Sequence, residues 1–226
     1  MIVTQKTGDD MTIEKMDDFF TKRIDNYENQ MLNHVEGCRE GYEKIAEFVP
    51  DGCENLLDLG CGTGLELNHI FEKFPNLHVI GIDYTQVMLD KLQENYPQKN
   101  IELIRGDYFK VDFGKEKYDC AISFQTLHHF SHNSKIALYK KIRDALKNGG
   151  WYIECDYVAK DLAEEEFLFT EAKRIREEEN ISSEALMHWD TPCCAEIQLR
   201  LFTKAGFSTP EKLWQLGQTA IFKMNK

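Results

Sequence analysis

Apolar side chains recur along this 226-residue chain with two different periods, and the change from one to the other divides it. From about Met11 to Pro50 the spacing is helical: Phe20, Ile24, Tyr27 and Met31 fall at three- and four-residue steps, as do Tyr42, Ile45, Ala46 and Val49. Two amphipathic helices are predicted there. After Pro50-Asp51-Gly52 the texture changes to short apolar runs punctuated by Gly and Asp, each followed by a helical stretch. Strands are predicted at Asn55–Leu59, His78–Ile82, Ile101–Arg105, Cys120–Phe124 and Trp151–Cys155. Helices are predicted between them, over about Gly64–Phe74, Thr85–Tyr96 and Lys135–Lys147.

A parallel strand pair needs a crossover connection, and a helix is the usual one, so this alternation predicts a doubly wound, mainly parallel α/β sheet. Beyond Asp156 an acidic helix is expected at about Leu162–Asn180, with Glu164–Glu166 and Glu177–Glu179 solvated and Leu168, Ala172 and Ile175 buried. Thr191-Pro192 reads as an N-cap followed by proline at the first helical position, opening a helix that runs to Ala205 and stops at Gly206. Two closing runs, Lys212–Leu216 and Thr219–Met224, read as an antiparallel hairpin at the sheet edge. The expectation is one domain, with a helical cap over 11–50, a core over 51–155, and a roof, helix and hairpin over 156–226.

Composition narrows the possibilities. No apolar run approaches the roughly 18 residues of a membrane span, and the start, MIVTQKTGDDM, lacks a basic, apolar leader. Seven irregularly spaced cysteines read as reduced thiols, so a cytoplasmic protein is expected. A net charge of −12, from 27 basic against 39 acidic residues, disfavours a nucleic-acid partner.

The most informative segment is Leu56 to Gly64, an apolar strand that runs into a glycine-rich turn opening a helix. A dinucleotide fold would show G-x-G-x-x-G, whereas glycines stand here at 60, 62 and 64, preceded by Asp58. The Asp58 charge would oppose a pyrophosphate but suit an ammonium, so a cationic ligand is expected. Nineteen residues after Gly64, a second strand ends in Asp83, placed to accept from ribose hydroxyls. A third ends in Arg105-Gly106-Asp107-Tyr108, where a carboxylate can meet an adenine amino group and a ring can flank the base. Successive strand ends therefore present a nucleoside site.

Taken in order, DLGCGTG, GID, RGDYF, YDCAISFQTLHHF and LKNGGWYI resemble the class I S-adenosylmethionine-dependent methyltransferases, over about Phe19 to Met224. The resemblance implies a Rossmann-like seven-stranded sheet whose seventh strand is antiparallel beside the fifth, with S-adenosylmethionine as cofactor and S-adenosylhomocysteine as product. It places Gly60 and Gly62 at the methionine part, Asp83 at the ribose, and Asp107 with Tyr108 at the adenine. The cofactor set read here is Asp58, Gly60, Cys61, Gly62, Asp83, Tyr84, Met88, Asp107, Tyr108 and Gln125. Asp58 could instead tie the turn, and Cys61 could be a packing residue, since no base adjoins it.

Methyl transfer from a sulfonium is an in-line displacement that needs alignment, with a base only where the acceptor must lose a proton. The strand ending at Phe124 should bring Gln125 through His129 to the methyl, which makes His129, and with it His128, the candidate bases. His188 and Trp189 are read as substrate wall, with His188 a further catalytic candidate, and Asp190 as a neighbour of the helix cap. Arg23 and Tyr27 are read as lid residues on the first helix. The LHHF ending looks like methyltransferases of small metabolites, so a small-molecule acceptor is expected, in a monomer or homodimer with no metal and no membrane partner.

Other readings stay open. One is a relative that modifies a tRNA wobble nucleoside or makes a carboxylated cofactor, though Gln125–His132 shows no basic patch. A second is methylation of arsenite, a third a non-catalytic module that binds the cofactor or its product. A nicotinamide dehydrogenase conflicts with the glycine spacing and Asp58.

Overall fold

Apolar runs buried on both faces become the middle of a sheet. A computed structural model describes residues 13–182 and 185–226. Five parallel strands, β2 (Asn55–Leu59), β3 (His78–Asp83), β4 (Ile101–Arg105), β5 (Tyr118–Phe124) and β6 (Leu146–Tyr157), are joined by an antiparallel hairpin of β8 (Ser208–Leu216) and β9 (Thr219–Asn225). The spatial order is β4-β3-β2-β5-β6-β9-β8, with β9 inserted beside β6 and β8 at the edge. This is the α/β class read from the sequence. The edge strand β8 is largely exposed and carries Pro210, Glu211 and Lys212, which discourage pairing with another chain.

Alternation along each strand feeds two cores. Leu57, Leu59, Ala121, Tyr152 and Phe222 pack under α5 (His132–Ala145) and α7 (Ala195–Ala205). Leu56, Val79, Ile122, Ile153 and Ile221 face the other way, toward α2 (Cys38–Phe48) and α3 (Leu67–Lys73). Asp58 shares the parity of Leu56 and is fully buried with it. A further helix, α4 (Gln86–Asn95), follows β3, and the acidic helix α6 (Leu162–Glu178) follows β6. No helix among the described residues is long and apolar enough to cross a membrane.

The N-terminal part departs from a purely helical reading. Residues 11 and 12 lie outside the described residues, and Glu14–Lys15 form a short strand, β1, paired antiparallel with β7 (Met187–His188). The helix α1 (Met16–Asn33) starts only after that pairing. The chain's first described residues are thus clasped to the segment after α6, and together they form a cover over one end of the sheet.

Three boundaries moved for identifiable reasons. α3 begins at Leu67 because Gly62 and Gly64 hold positive φ, which keeps the turn out of the helix. α5 begins earlier than the expected Lys135, at His132, because Ser131 caps it by accepting the Ser134 N–H. Thr191-Pro192 does not open α7. The helix starts at Ala195, and the Cys194 N–H is taken at 2.6 Å by the buried Glu165 carboxylate from α6. Thr191 instead donates its N–H (2.7 Å) and Oγ1 hydroxyl (3.1 Å) to the His128 carbonyl, which holds this loop against the end of β5.

Stability should follow burial. Leu57→Ala, at a fully buried position in β2, is expected to cost about 2–5 kcal/mol in urea unfolding. Phe167→Ala on the exposed face of α6 should change it by less than about 0.5 kcal/mol.

Candidate active site

At the C-terminal ends of β2, β3 and β4 the chain turns three times. Gly60 takes φ +68°, and a Cβ there would collide with the Thr126 side chain. Its N–H and that of Cys61 both donate to the Ile82 carbonyl, at 2.7 and 3.2 Å. Asp83 completes the tie: one carboxylate oxygen accepts the Gly62 N–H at 3.0 Å and the other the Thr85 N–H at 2.8 Å. Burial raises the Asp83 carboxyl to about 6, even though these backbone donors favour its charge.

Asp107 accepts the Phe109 N–H at 2.9 Å and faces Lys110 at 3.3 Å, while buried Tyr108 donates to the Thr126 carbonyl at 3.3 Å. Gln125 leaves β5 with φ +49°, a strained conformation for a side-chain-bearing residue. Its Nε2 donates to Thr219 Oγ1 at 3.1 Å.

Between these ends lies a cleft of about 630 Å³, counted to its open mouth. Gly60, Gly62, Asp83, Tyr84, Met88, Asp107, Tyr108 and Gln125 all line it. Its cover is Met16, Phe20 and Tyr27 of α1 and Leu186 beside β7. A second space of about 430 Å³ adjoins it, with walls of His128, His129, Tyr157, His188 and Asp190, and of Met31 in α1 and Val35 just after that helix. Phe20, Tyr27, Gln125 and His129 line both spaces, so the two meet there.

The second chamber is a histidine cluster. His128 Nδ1 lies 2.5 Å from Asp156 Oδ1 at the end of β6, and its Nε2 lies 3.5 Å from Asp190 Oδ1. Burial opposes a charge on His128, but the two carboxylates outweigh it and lift its pKa to about 9. His129 sits with Nδ1 3.2 Å from both the Trp189 carbonyl and Asp190 Oδ1. Burial and the neighbouring His128 charge push its pKa down. His188 stacks on Phe19 at 3.5 Å, and burial lowers it to about 3. Asp190 stays ionised far below the usual range: burial opposes this, and its bonds to the two histidines prevail. His128, His129 and Asp190 are close enough to share a metal ion, but the Trp189 carbonyl already claims the proton of His129 Nδ1, which favours a proton network.

Some expected residues lie elsewhere. Asp58 sits beneath the glycine turn, fully buried, and Cys61 is buried against Gly81. Arg23 stacks over Phe19 at 3.8 Å and bonds Glu14, on the outer side of the cover. The Trp189 side chain lines neither space; its backbone carbonyl holds His129. Asp190, read as a cap neighbour, belongs to the histidine cluster. Thr126 lies at the cleft as expected, whereas the sequence pattern assigned no role to Glu66 or Asp156, although an acid just past a predicted strand was a signal for Asp156.

Residues 56–150 match a family model described as a methyltransferase domain. The chain is 32% identical over 108 residues to the biotin biosynthesis bifunctional protein BioHC of Teredinibacter turnerae, covering 44% of this chain and 19% of that protein. It is 29% identical over 140 residues to malonyl-[acyl-carrier protein] O-methyltransferase 2 of Ilyobacter polytropus, covering 61% and 51%. It is 27% identical over 139 residues to a flavonoid 3'-O-methyltransferase of Chrysosplenium americanum, covering 62% and 36%. The chain thus spans about half or less of the length of these relatives. Human N-acetylserotonin methyltransferase, solved with S-adenosylmethionine, shares the fold at a TM-score of 0.62 and 16% identity, over 84% of this chain and 52% of that one. A Nostoc punctiforme protein assigned to the O-methyltransferases does so at 0.67 and 20%, over 92% and 59%.

The His128 pair has a pH signature. Its folded pKa lies above the ordinary 6.5, so its contribution to stability is complete below about 6.5 and is lost as pH rises through about 9. The stability difference between the wild type and His128→Gln should shrink across that window in urea unfolding. A difference constant with pH would contradict the paired imidazolium.

Proposed function

Taking the chain as a class I S-adenosylmethionine-dependent methyltransferase in domain and fold, we propose that it moves the cofactor's methyl group onto a neutral, hydroxyl-bearing small molecule held in the second chamber. The observation that carries this reading is His129, a neutral imidazole on the wall shared by the two spaces.

The first cleft fits the cofactor. Asp83 retains lone pairs for ribose hydroxyls after its two backbone bonds, and Asp107 with Tyr108 offers a carboxylate and a ring to the adenine. Gly60 and Gly62 let the backbone approach the methionine part. The Asp58 carboxyl beneath them has both oxygens without a partner, and a cation would satisfy it. When bound, S-adenosylmethionine supplies an electrophilic methyl on a sulfonium.

The chain's own residues supply alignment and proton acceptance. His129 Nδ1 faces two groups that can only accept, the Trp189 carbonyl and the Asp190 carboxylate, so Nδ1 carries the proton and Nε2 keeps its lone pair. Nε2 is therefore able to take a proton from an acceptor hydroxyl. Asp190 then stabilises the imidazolium that forms. Phe20 and Tyr27 cover the junction and exclude water.

The chamber also bears on the acceptor's charge. Among the described residues that line it there is no lysine or arginine, and the His128 imidazolium is already bracketed by Asp156 and Asp190. An acceptor carboxylate, as in the malonyl-carrier relative, would enter with nothing to neutralise it. A flat phenol of the flavonoid kind meets aromatic walls instead. Phosphate-backbone substrates fit the net charge of −12 no better.

His129→Gln should lower turnover of a phenolic acceptor by about 10²–10⁴-fold while S-adenosylhomocysteine affinity in calorimetry stays near that of the wild type. Undiminished turnover would remove His129 as the base. Asp83→Ala should weaken S-adenosylhomocysteine binding by about 1–3 kcal/mol, and unchanged affinity in the folded variant would take Asp83 out of the site.

A further inference from the structure

The acidic helix α6 buries two side chains, Ile175 and, in its first turn, Glu165. A carboxylate is the costlier of the two to take from water, so its partners matter. Glu165 Oε2 accepts the Cys194 N–H at 2.6 Å, and Oε1 lies 2.8 Å from Nε2 of His132, the first residue of α5. The His132 side chain is 41% exposed, yet its Nε2 is turned away from solvent and makes no aligned hydrogen bond. The third group is the buried Cys193. One donor atom each from His132, Glu165 and Cys193 lies within 4.8 Å of the other two.

Three segments meet in this cluster, and each is fixed by bonds outside it. Ser131 caps α5 just ahead of His132, Asp161 caps α6, and the Cys193 carbonyl accepts the Ala159 N–H at 3.0 Å. Lys135, one turn past His132, places Nζ 3.6 Å from Cys193 Sγ and 3.2 Å from Gln198 Oε1. Burial pushes the Cys193 thiol up to about 11, and the Lys135 ammonium works against that rise. Glu154 and Asp156 in turn offset the lysine's charge.

An imidazole, a carboxylate and a thiol together are not the donors of Mg²⁺ or Ca²⁺, which take oxygen throughout, whereas Zn²⁺ accepts all three. Tetrahedral zinc, with bonds of about 2.0–2.3 Å, keeps its donors under about 4 Å apart, so a side-chain movement of about 1 Å draws this set together. We propose that His132, Glu165 and Cys193 are the protein ligands of a zinc-type divalent-cation site, with water in the fourth position, that ties α6 and the loop ahead of α7 to the start of α5. Binding displaces the thiol proton, and the Lys135 ammonium then steadies the thiolate from outside the ligand set. None of the three ligands lines either space of the active site. The ion's role is to hold the loop in which Asp190 stands three residues before Cys193.

The test titrates the full chain, kept reduced and stripped with a chelator, with Zn²⁺ against a chromophoric competitor, and then with Co²⁺ as a spectroscopic stand-in. Expected are one tightly held ion per chain, a higher thermal unfolding midpoint with Zn²⁺, and a thiolate-to-cobalt charge-transfer band in the near ultraviolet. His132→Gln should weaken Zn²⁺ by more than about tenfold, since even groups that only orient metal ligands are worth that much. Cys193→Ser should abolish the cobalt band, with circular dichroism reporting whether this variant is folded; if it is not, His132→Gln decides alone. His129→Gln should bind Zn²⁺ as the wild type does. No binding of either metal by the wild type, undiminished Zn²⁺ affinity in His132→Gln, or a cobalt band that survives in Cys193→Ser overturns the proposal. Loss of the ion in His129→Gln overturns it too, by moving the metal to the cluster of His128, His129 and Asp190.

Discussion

The Asp83 carboxylate accepts the Gly62 N–H with one oxygen and the Thr85 N–H with the other, which fixes the end of β3 to the turn that leaves β2. Together with the Gly60 and Cys61 N–H bonds to the Ile82 carbonyl, that tie holds the glycine turn in one shape against the large conformational freedom that glycine loses on ordering. With it, the floor of the cleft, the start of α4 and the approach to α3 are set together. The parallel register between β2 and β3 brings Leu59 opposite Ile82, so the two strand ends arrive level. The same carboxylate faces the cleft, so a structural anchor also presents its oxygens to whatever the cleft holds.

A second layer of organisation lies past β5. The positive φ of Gln125 swings the chain so that Thr126, His128 and His129 leave the sheet plane. Thr191 then pins the 190 loop to the His128 carbonyl, and Asp190 arrives between the two imidazoles. One histidine is held charged and its neighbour neutral by the same few groups. That division separates a fixed electrostatic element, His128 with Asp156, from a group free to take a proton, His129. The clasp of β1 with β7 brings α1 and the 186–190 segment together as a cover over both spaces.

Fold class and the strand ends that face the cleft were legible because they depend on local pattern. Asn55–Leu59 and Ile101–Arg105 are short apolar runs bounded by turn residues, and their limits agree with the structure. Less legible was anything decided by a distant partner. The cap of α7 comes from Glu165, on another helix, so Thr191-Pro192 looked like a start and is not one. The two-residue strands β1 and β7 are too short to show a period and exist through each other. Glu66 sits inside what reads as an ordinary helix start, and its unusual burial emerges only when α3 packs against the sheet. Arg23 shows the converse: a basic residue on the expected lid helix is spent on Phe19 and Glu14.

The central claim, that the turn after β2 and the ends of β3 and β4 hold an S-adenosyl ligand, is tested most directly by calorimetric titration of the purified chain with S-adenosylhomocysteine, using NAD as the control. The account predicts saturable, roughly micromolar binding of the first, near −8 kcal/mol, and none of the second. Binding of NAD, or of neither ligand, would contradict it.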